Sequence, residues 1–453
     1  MPAPMSPNAS GSSAASRPLA VLILAAGKGT RMKSRRSKVL HEIAGRPMLG
    51  YPVAMAEALA PTKLVVVVGR DAEEVEAAFA GRAEFVLQAE QRGTGHAVKV
   101  ALPALAGFEG DVLILYGDCP LLQPESVERL IALKAETGSP LAMLTSPEPL
   151  PGLVVRDAQG RVDRIVERTD ATPDELEIQE GNTGVYLIDA ALLTKALDQL
   201  DDSNAQGELY LTDVVGIARG QGEGVEAIML DDADEALGVN DRRELARASA
   251  AQYARNADRL MVSGVTFDDP AATYVDTDVE IGPDSRLEPG VSVTGPSTLG
   301  AGVHVRAHSV IEESEIGDDV VIGPSAHIRP GSRLERGVRI GNFVEVKNSH
   351  LGEGVKADHL AYVGDADVGA GASFGCGSIT VNYDWENKHR TTVGERVRIG
   401  CNANLVAPLV LEADAFVAAG TTVTKGVKKD AIAVSTGRQK NIEGWGARRR
   451  KKD

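Results

Sequence analysis

Between residues 281 and 346 an aliphatic residue recurs every six positions: Ile281, Leu287, Val293, Leu299, Val305 and Ile311, then Ile316, Ile322, Ile328, Leu334, Ile340 and Val346. Glycine often follows it, as at Gly282, Gly300, Gly317, Gly323 and Gly341. This period matches neither a helix (about 3.6) nor a half-buried strand (about 2) over such a length. It fits a solenoid in which each hexapeptide forms one short face of a coil and turns its aliphatic side chain inward. Steps of five, from Ile311 to Ile316, Val346 to Leu351 and Val363 to Val368, are slips that loops can absorb. The phase continues through Phe374. After a break at 381–392 it resumes at Val393, Ile399, Leu405, Leu411, Val417 and Val423. Three hexapeptides per turn predict about eight coils. Each coil contacts only its neighbours, and the flat sides of such a prism can pack on copies of itself, so a cyclic oligomer is expected.

The chain has 453 residues, enough for two sizeable cores. Its 48 Lys+Arg against 64 Asp+Glu give a net charge of −16, which argues against general binding of nucleic acid or of an anionic membrane. The basic run Arg448–Lys452 reads as a solvated tail. Cys119, Cys376 and Cys401 lack metal-ligand spacing and suit reduced thiols. No apolar run approaches a membrane span. Residues 1–17 are rich in Ser, Ala and Pro, without the apolar core of a signal peptide, and read as a disordered leader. A cytoplasmic enzyme fits these features.

The first half alternates strand and helix. The run Leu19–Leu24 is an apolar strand entering the turn Ala25-Ala26-Gly27-Lys28-Gly29-Thr30-Arg31. Strands are expected at 64–68, 85–88 and 112–116, and helices at 71–80 (capped by Asp71), 94–105 and 125–137. That pattern implies an α/β domain with a mainly parallel sheet. Ligands of such sheets sit beyond the carboxyl ends of the strands. Two stretches lie there: 25–31, and Gly117-Asp118 after the strand at 112–116. The glycine turn either cradles a phosphate with its N–H groups, helped by Lys28 and Arg31, or is simply a turn; it is neither a Walker A nor a GxGxxG motif. Asp118 is either a solvated strand end or a Mg²⁺ ligand. The stretch Gln88–His96 is a polar, glycine-rich helix entry suited to a base or phosphate. Further on, Val162–Glu167 is a strand, Gly181-Asn182-Thr183-Gly184 precedes another at 185–188, Gly238-Val239-Asn240 follows a turn, and 241–260 reads as a linking helix.

In this order the glycine turn ending Thr30-Arg31-Met32, Lys38-Val39-Leu40-His41, Gln88 with Gly93-Thr94-Gly95, Tyr116-Gly117-Asp118, Asn182-Thr183-Gly184 and Gly238-Val239-Asn240 resemble the sugar-nucleotide pyrophosphorylases. With the hexapeptides attached, and with Gly341-Asn342-Phe343-Val344-Glu345-Val346-Lys347 among them, residues 19 to about 445 resemble one family. It is that of the bacterial bifunctional N-acetylglucosamine-1-phosphate uridylyltransferases/glucosamine-1-phosphate acetyltransferases. The resemblance implies a Rossmann-like α/β nucleotidyltransferase domain followed by a left-handed parallel β-helix. The segments would be a leader (1–17), a uridylyltransferase domain (18–240), a linking helix (241–264), an acetyltransferase domain (265–440) and a basic tail (441–453).

In the first domain the resemblance implies that Leu24, Ala25, Ala26 and Gly27 hold uracil and phosphates, with Arg31 and Lys38 on the phosphates. Gln88, Gly93 and Thr94 would contact the base, and Tyr116, Gly117, Gly152, Glu167 and Asn182 the sugar. Asp118 and Asn240 would hold Mg²⁺. In the second domain Arg329, Lys347, Tyr362 and Ser373 would bind glucosamine-1-phosphate, with His359 as general base. Cys376, Asn382, Tyr383, Cys401, Ala419 and Thr436 would line the acetyl-CoA cleft, with Asn382 also at the sugar. The loop at 381–392 would reach a neighbouring subunit of a homotrimer. The substrates implied are UTP, glucosamine-1-phosphate, N-acetylglucosamine-1-phosphate and acetyl-CoA.

The chain departs from the family pattern at Pro151-Gly152-Leu153, where a cation is missing. Ser373, Cys376 and Cys401 replace Asn, Ala and Ser, and Thr436 replaces an Arg, with Arg438 two residues on as a substitute. None of these removes a proton-transfer or metal group. Two other readings stay open at this level. One is a single-activity pyrophosphorylase with a structural solenoid; the other is a non-catalytic binding protein.

Overall fold

The computed structural model describes residues 17–437, 441–443 and 445. Most of the leader, Arg438 and the basic run Arg448–Lys452 lie outside these residues. The chain divides into two compact units that meet in sequence between Gln252 and Tyr253, inside a helix.

The first unit is built on one sheet. Its strands are β1 (Leu19–Ala25), β2 (Lys63–Val68), β3 (Glu84–Leu87), β4 (Asp111–Tyr116), β5 (Leu141–Ser146), β6 (Gly152–Arg156), β7 (Val162–Glu167), β8 (Gly181–Asp189) and β9 (Val225–Met229). The main path runs β9-β5-β8-β4-β1-β2-β3, and the β6–β7 hairpin pairs onto β8. Strands β1, β2, β3 and β4 are parallel, as the alternation of strand and helix requires. However, β8 runs antiparallel to both β4 and β5, so the sheet is mixed. Hydrophobic pattern reports burial, not direction, which is why this reversal was not legible. The Asn182-Thr183-Gly184 stretch lies inside β8 rather than ahead of it. There the register with β5 shifts, and Thr183 Oγ1 donates to the Leu144 carbonyl at 2.8 Å.

Apolar residues on the two faces of β1 feed two cores. Ala20, Leu22 and Leu24 pack on one side with the helix Thr94–Ala101, and Val21 and Ile23 on the other with the helices Gly50–Ala58 and Pro124–Thr137. The helix expected to run from 94 to 105 is α-helical only to Ala101. It then tightens to a 3₁₀ turn at Leu102–Leu105, where Pro103 cannot donate to the helical ladder. Asp71 precedes the helix Ala72–Ala78 as expected but makes no side-chain cap bond.

The helix Arg242–Val262 opens in the first unit, where Ala248 packs with Ile43, Met48 and Val239. Its last turns belong to the second unit, where Ala257 and Leu260 join the core of the first coil.

The second unit is the solenoid expected from the repeat, in the left-handed parallel β-helix form that the resemblance implies. Its strands form three parallel sheets of ten, nine and eight strands, and each residue pairs with its equivalent one coil on. The first face carries Leu287, Val305, Ile322, Ile340, Ala357, Phe374, Ile399 and Val417 inward, all buried. The second face stacks Val293, Ile311, Ile328, Val346, Val363, Leu405 and Val423. Thr380 takes the inward place between Val363 and Leu405, satisfied by bonds to the Gly364 backbone at 2.7 and 3.0 Å. The three five-residue slips are shortened corners between the second and third faces, each turned by one left-handed residue: Glu313, Asn348 and Asp365.

Candidate active sites

In the first unit a cavity of about 410 Å³ opens at the carboxyl ends of β1 and β4. Leu24, Ala26, Gly27, Arg31, Lys38, Gln88, Gly93, Thr94, Tyr116, Asp118 and Asn240 line it, as do Lys28, Gln91 and Glu208. The glycine turn is a cradle by necessity. Gly29 has φ +59°, and a Cβ there would stand 2.8 Å from the Lys38 Cβ. Gln91 donates to the Ala26 carbonyl at 3.2 Å, and Gln88, almost fully buried, donates to the Gly93 carbonyl at 3.1 Å. The Gln91 bond ties the two polar loops together.

At the floor, Lys38 Nζ lies 2.5 Å from Asp118 Oδ2 and 3.2 Å from Asn240 Oδ1. The Val239 N–H donates to the Asp118 carbonyl at 2.9 Å, which fixes the Asn240 loop beside the strand end. Two oxygens from distant segments thus face one cation. This donor set, one carboxylate and one amide oxygen, fits Mg²⁺, which keeps water and phosphate oxygens as its remaining ligands. Among the described residues no group of three His, Cys, Asp or Glu side chains could hold a metal. A metal here would complete its shell with water or substrate oxygens. Cys119, next in sequence, is a free thiol whose burial pushes its pKa well up, aided by Asp118.

The remaining residues implied for this domain do not line the cavity. Ala25 and Gly117 pack against each other at the strand ends, and the Gly117 N–H donates to the Leu24 carbonyl at 2.9 Å. Gly152 pairs with Glu167 across the β6–β7 hairpin, and Asn182 lies against Gly152. Tyr116 connects this group to the cavity, because its ring packs on Gly184. Burial raises the Glu167 carboxyl; the Thr212 hydroxyl bond opposes this, and Asp213 and Asp170 add to it. Burial also lifts Asp213 to about 6, helped by Asp201 and Asp170. Leu153, at the missing-cation position, is fully buried and faces the core. Glu208 carries no sequence signal. It arrives because the Leu209 backbone bonds Arg92 and Gly95, which places the 208–211 segment on the cavity rim.

In the second unit register assembles the site. His359 lies two residues past inward Ala357, and the same offset in the next three coils reaches Cys376, Cys401 and Ala419. Four implied residues therefore form one column along the corner after the first face. On the second face Arg329, Lys347 and Tyr362 occupy neighbouring coils. The Tyr362 ring lies over Gly364, where a Cβ would meet the hydroxyl at 2.3 Å. Asn382 Nδ2 reaches the Tyr362 hydroxyl at 3.4 Å. Arg329 is paired with Glu345 at 2.7 Å. Exposed His359 has Nδ1 3.1 Å from Asn342 Oδ1; with that amide oxygen as acceptor, Nδ1 of the neutral ring donates and Nε2 is the acceptor.

Ser373 stands apart on the first face, accepting from Arg398 at 3.2 Å. Thr436 is exposed beyond the column. The break in the repeat is a small projecting hairpin. Tyr383 bridges Lys388, the Tyr383 hydroxyl donates to the Trp385 carbonyl at 2.6 Å, and Trp385 is 87% exposed. Arg390 clamps its base on Asp367. Asp384, bonded by the Asn387 and Glu386 N–H groups and by His389, is held down at about 2.

The fold and the two sites define a two-domain transferase: a nucleotidyltransferase unit joined to a hexapeptide-repeat acyltransferase unit. The family models agree. The MobA-like NTP transferase domain matches residues 21–203, the bacterial transferase hexapeptide (six repeats) matches 313–348, and the hexapeptide repeat of succinyl-transferase matches 390–425. The chain is 46% identical over 456 residues to the bifunctional protein GlmU of Pelobacter propionicus, covering 96% of this chain and 99% of that one. It is 46% identical to that of Streptococcus suis (94% and 97%) and 45% identical to that of Thermobifida fusca (96% and 96%). The chain belongs to the GlmU family of bifunctional proteins.

Proposed function

We propose the following division of labour between the two units of this bifunctional uridylyltransferase and acetyltransferase. The β-helix acts first, moving the acetyl group from acetyl-CoA to glucosamine-1-phosphate. Arg329 and Lys347 hold the phosphate, and Tyr362 and Asn382 the sugar. The amine attacks the thioester carbonyl, the new C–N bond forms, the C–S bond breaks and coenzyme A leaves as its thiol. His359 Nε2 takes the amine proton as the general base. Acetyl-CoA runs along the column of Cys376, Cys401 and Ala419, and the Tyr383 hairpin belongs to the site of a neighbouring copy in a homotrimer.

The first unit then joins UMP to N-acetylglucosamine-1-phosphate. A phosphate oxygen of the sugar attacks the α-phosphorus of UTP, and the bond to the β-phosphate bridging oxygen breaks to release pyrophosphate. The N–H groups of 25–31, with Arg31 and Lys38, cradle the phosphates, Gln88, Gly93 and Thr94 meet the base, and Glu167 and Asn182 meet the sugar. Asp118 and Asn240 would hold Mg²⁺, which supplies neutralisation of phosphate charge. The free cysteines and the chemistry of the substrates support a cytoplasmic location. Among the described residues no helix is long and apolar enough to cross a membrane.

The observation that carries this reading is the convergence of Lys38, Asp118 and Asn240 on one floor, with His359 heading a separate column in the other unit. The test is His359→Ala in the full chain. Acetyl transfer should fall by about 10²-fold or more, while uridylyl transfer from supplied N-acetylglucosamine-1-phosphate stays near normal. Loss of both in well-folded protein would contradict the two-site assignment.

A further inference from the structure

The acetyl-transfer surface rests on a buried carboxylate that no motif marks. Asp365 is 6% exposed. It accepts from Asn348 Nδ2 at 2.6 Å and makes a short bond with Asn382 Nδ2, and Lys347 Nζ stands 3.9 Å from its Oδ2. Its N–H donates to the Lys347 carbonyl at 2.9 Å, and its carbonyl accepts from Thr391 at the exit of the hairpin at 3.0 Å.

The backbone does not demand a charge at this corner. Asp365 has φ 49°, but the equivalent residues of the two preceding coils are Asn348 (φ 44°) and Gly331 (φ 75°). Gly, Asn and Asp all serve a left-handed turn. Burying a carboxylate is costly unless partners compensate it. Here burial pushes the carboxyl up, and the amides of Asn348 and Asn382 with the charges of Lys347 and Lys388 more than reverse that, so the group sits below its ordinary range. Its compensating partners include two residues assigned above to the substrate.

An ionised carboxylate only accepts. Asn382 must therefore turn its NH₂ inward, toward Asp365 and the Tyr362 hydroxyl, and its Oδ1 away from them. We propose that Asp365 is a positioning residue for acetyl transfer: it fixes Asn382 with its amide oxygen outward as an acceptor for the substrate amine, and it restrains the Lys347 ammonium beside the sugar phosphate. This rests on the acetyl-transfer reading given above.

The test is Asp365→Asn in the full-length chain, isosteric and neutral, assayed with glucosamine-1-phosphate and acetyl-CoA. Uridylyl transfer serves as the internal control. The expected result is a fall in acetyl-transfer kcat of about 10–100-fold with KM for acetyl-CoA within about threefold, and uridylyl transfer unchanged. In an Asn382→Ala background the same substitution should cost no more than about threefold, because only its weaker restraint on Lys347 at 3.9 Å then remains. Asn348→Gly removes the other donor at a corner glycine accepts, and should keep at least about half of the acetyl transfer. Three results would overturn the proposal: kcat within about twofold for Asp365→Asn, penalties that multiply in the double variant, or a variant too unstable to assay, which would make Asp365 a structural prop. Absence of acetyl transfer in the unsubstituted chain would instead refute the reading on which it rests.

Discussion

Lys38→Met isolates the floor of the nucleotide cavity. The Lys38 side chain is 7% exposed and Asp118 22% exposed, with 2.5 Å between Nζ and Oδ2. Deleting one partner of a sealed ion pair costs about 3–5 kcal/mol. Asp118 borders an open cavity, so water recovers part of its solvation, and the expected loss is about 1–2 kcal/mol. For a domain of this size that lowers Tm by about 2–8 °C. A divalent cation bound only by the folded state returns stability, about 2.7 kcal/mol at a hundredfold excess over Kd. In the unsubstituted chain the ammonium competes for the same two oxygens. Mg²⁺ should therefore raise the Tm of Lys38→Met more than that of the parent. Scanning calorimetry of both proteins, with EDTA and then with Mg²⁺, reads this without any activity assay. An unchanged Tm in EDTA, or equal Mg²⁺ shifts in both proteins, would refute the reasoning.

Asp213 titrates in the opposite sense from a paired carboxylate. Its folded value of about 6 lies above an unfolded value of about 3.9, so its contribution to stability is fully present below the unfolded value and is lost as pH rises through 6. Asp213→Asn should thus stabilise the first unit by about 1 kcal/mol at pH 7.5 and not at pH 4, after discounting for partial exposure, as melts at the two pH values will show. In the β-helix Ile340 is 1% exposed between Ile322 and Ala357, and Ile340→Ala should cost about 2–5 kcal/mol, read from the urea midpoint.

The β-helix was legible because one inward side chain per hexapeptide leaves a period that nothing else produces. Even its three irregular steps mark real corners, turned by Glu313, Asn348 and Asp365. The parallel half of the first unit was legible for a similar reason, since apolar runs alternate with helices and end in the residues that line the cavity. What escaped depends on direction and on distant pairing. The reversal of β8 leaves no trace in its own hydrophobicity, and Glu208 reaches the cavity only through backbone bonds of Leu209 to the 92–95 turn. Asp365 belongs to none of the motifs singled out in the sequence. Its burial follows from three residues, Lys347, Asn348 and Asn382, that the coil geometry stacks around it. Ser373 and Thr436 are implied by resemblance alone; Ser373 accepts from Arg398 on the first face, and Thr436 is exposed.

The central claim is that two sites in one chain act in series, acetylation first. It is tested most directly by pyrophosphate release from UTP with Mg²⁺ and glucosamine-1-phosphate, with and without acetyl-CoA. Release should depend on acetyl-CoA, and should occur without it when N-acetylglucosamine-1-phosphate is supplied. Strong release from glucosamine-1-phosphate alone would contradict the obligatory order, and none even with the acetylated sugar would contradict the assignment of the first unit.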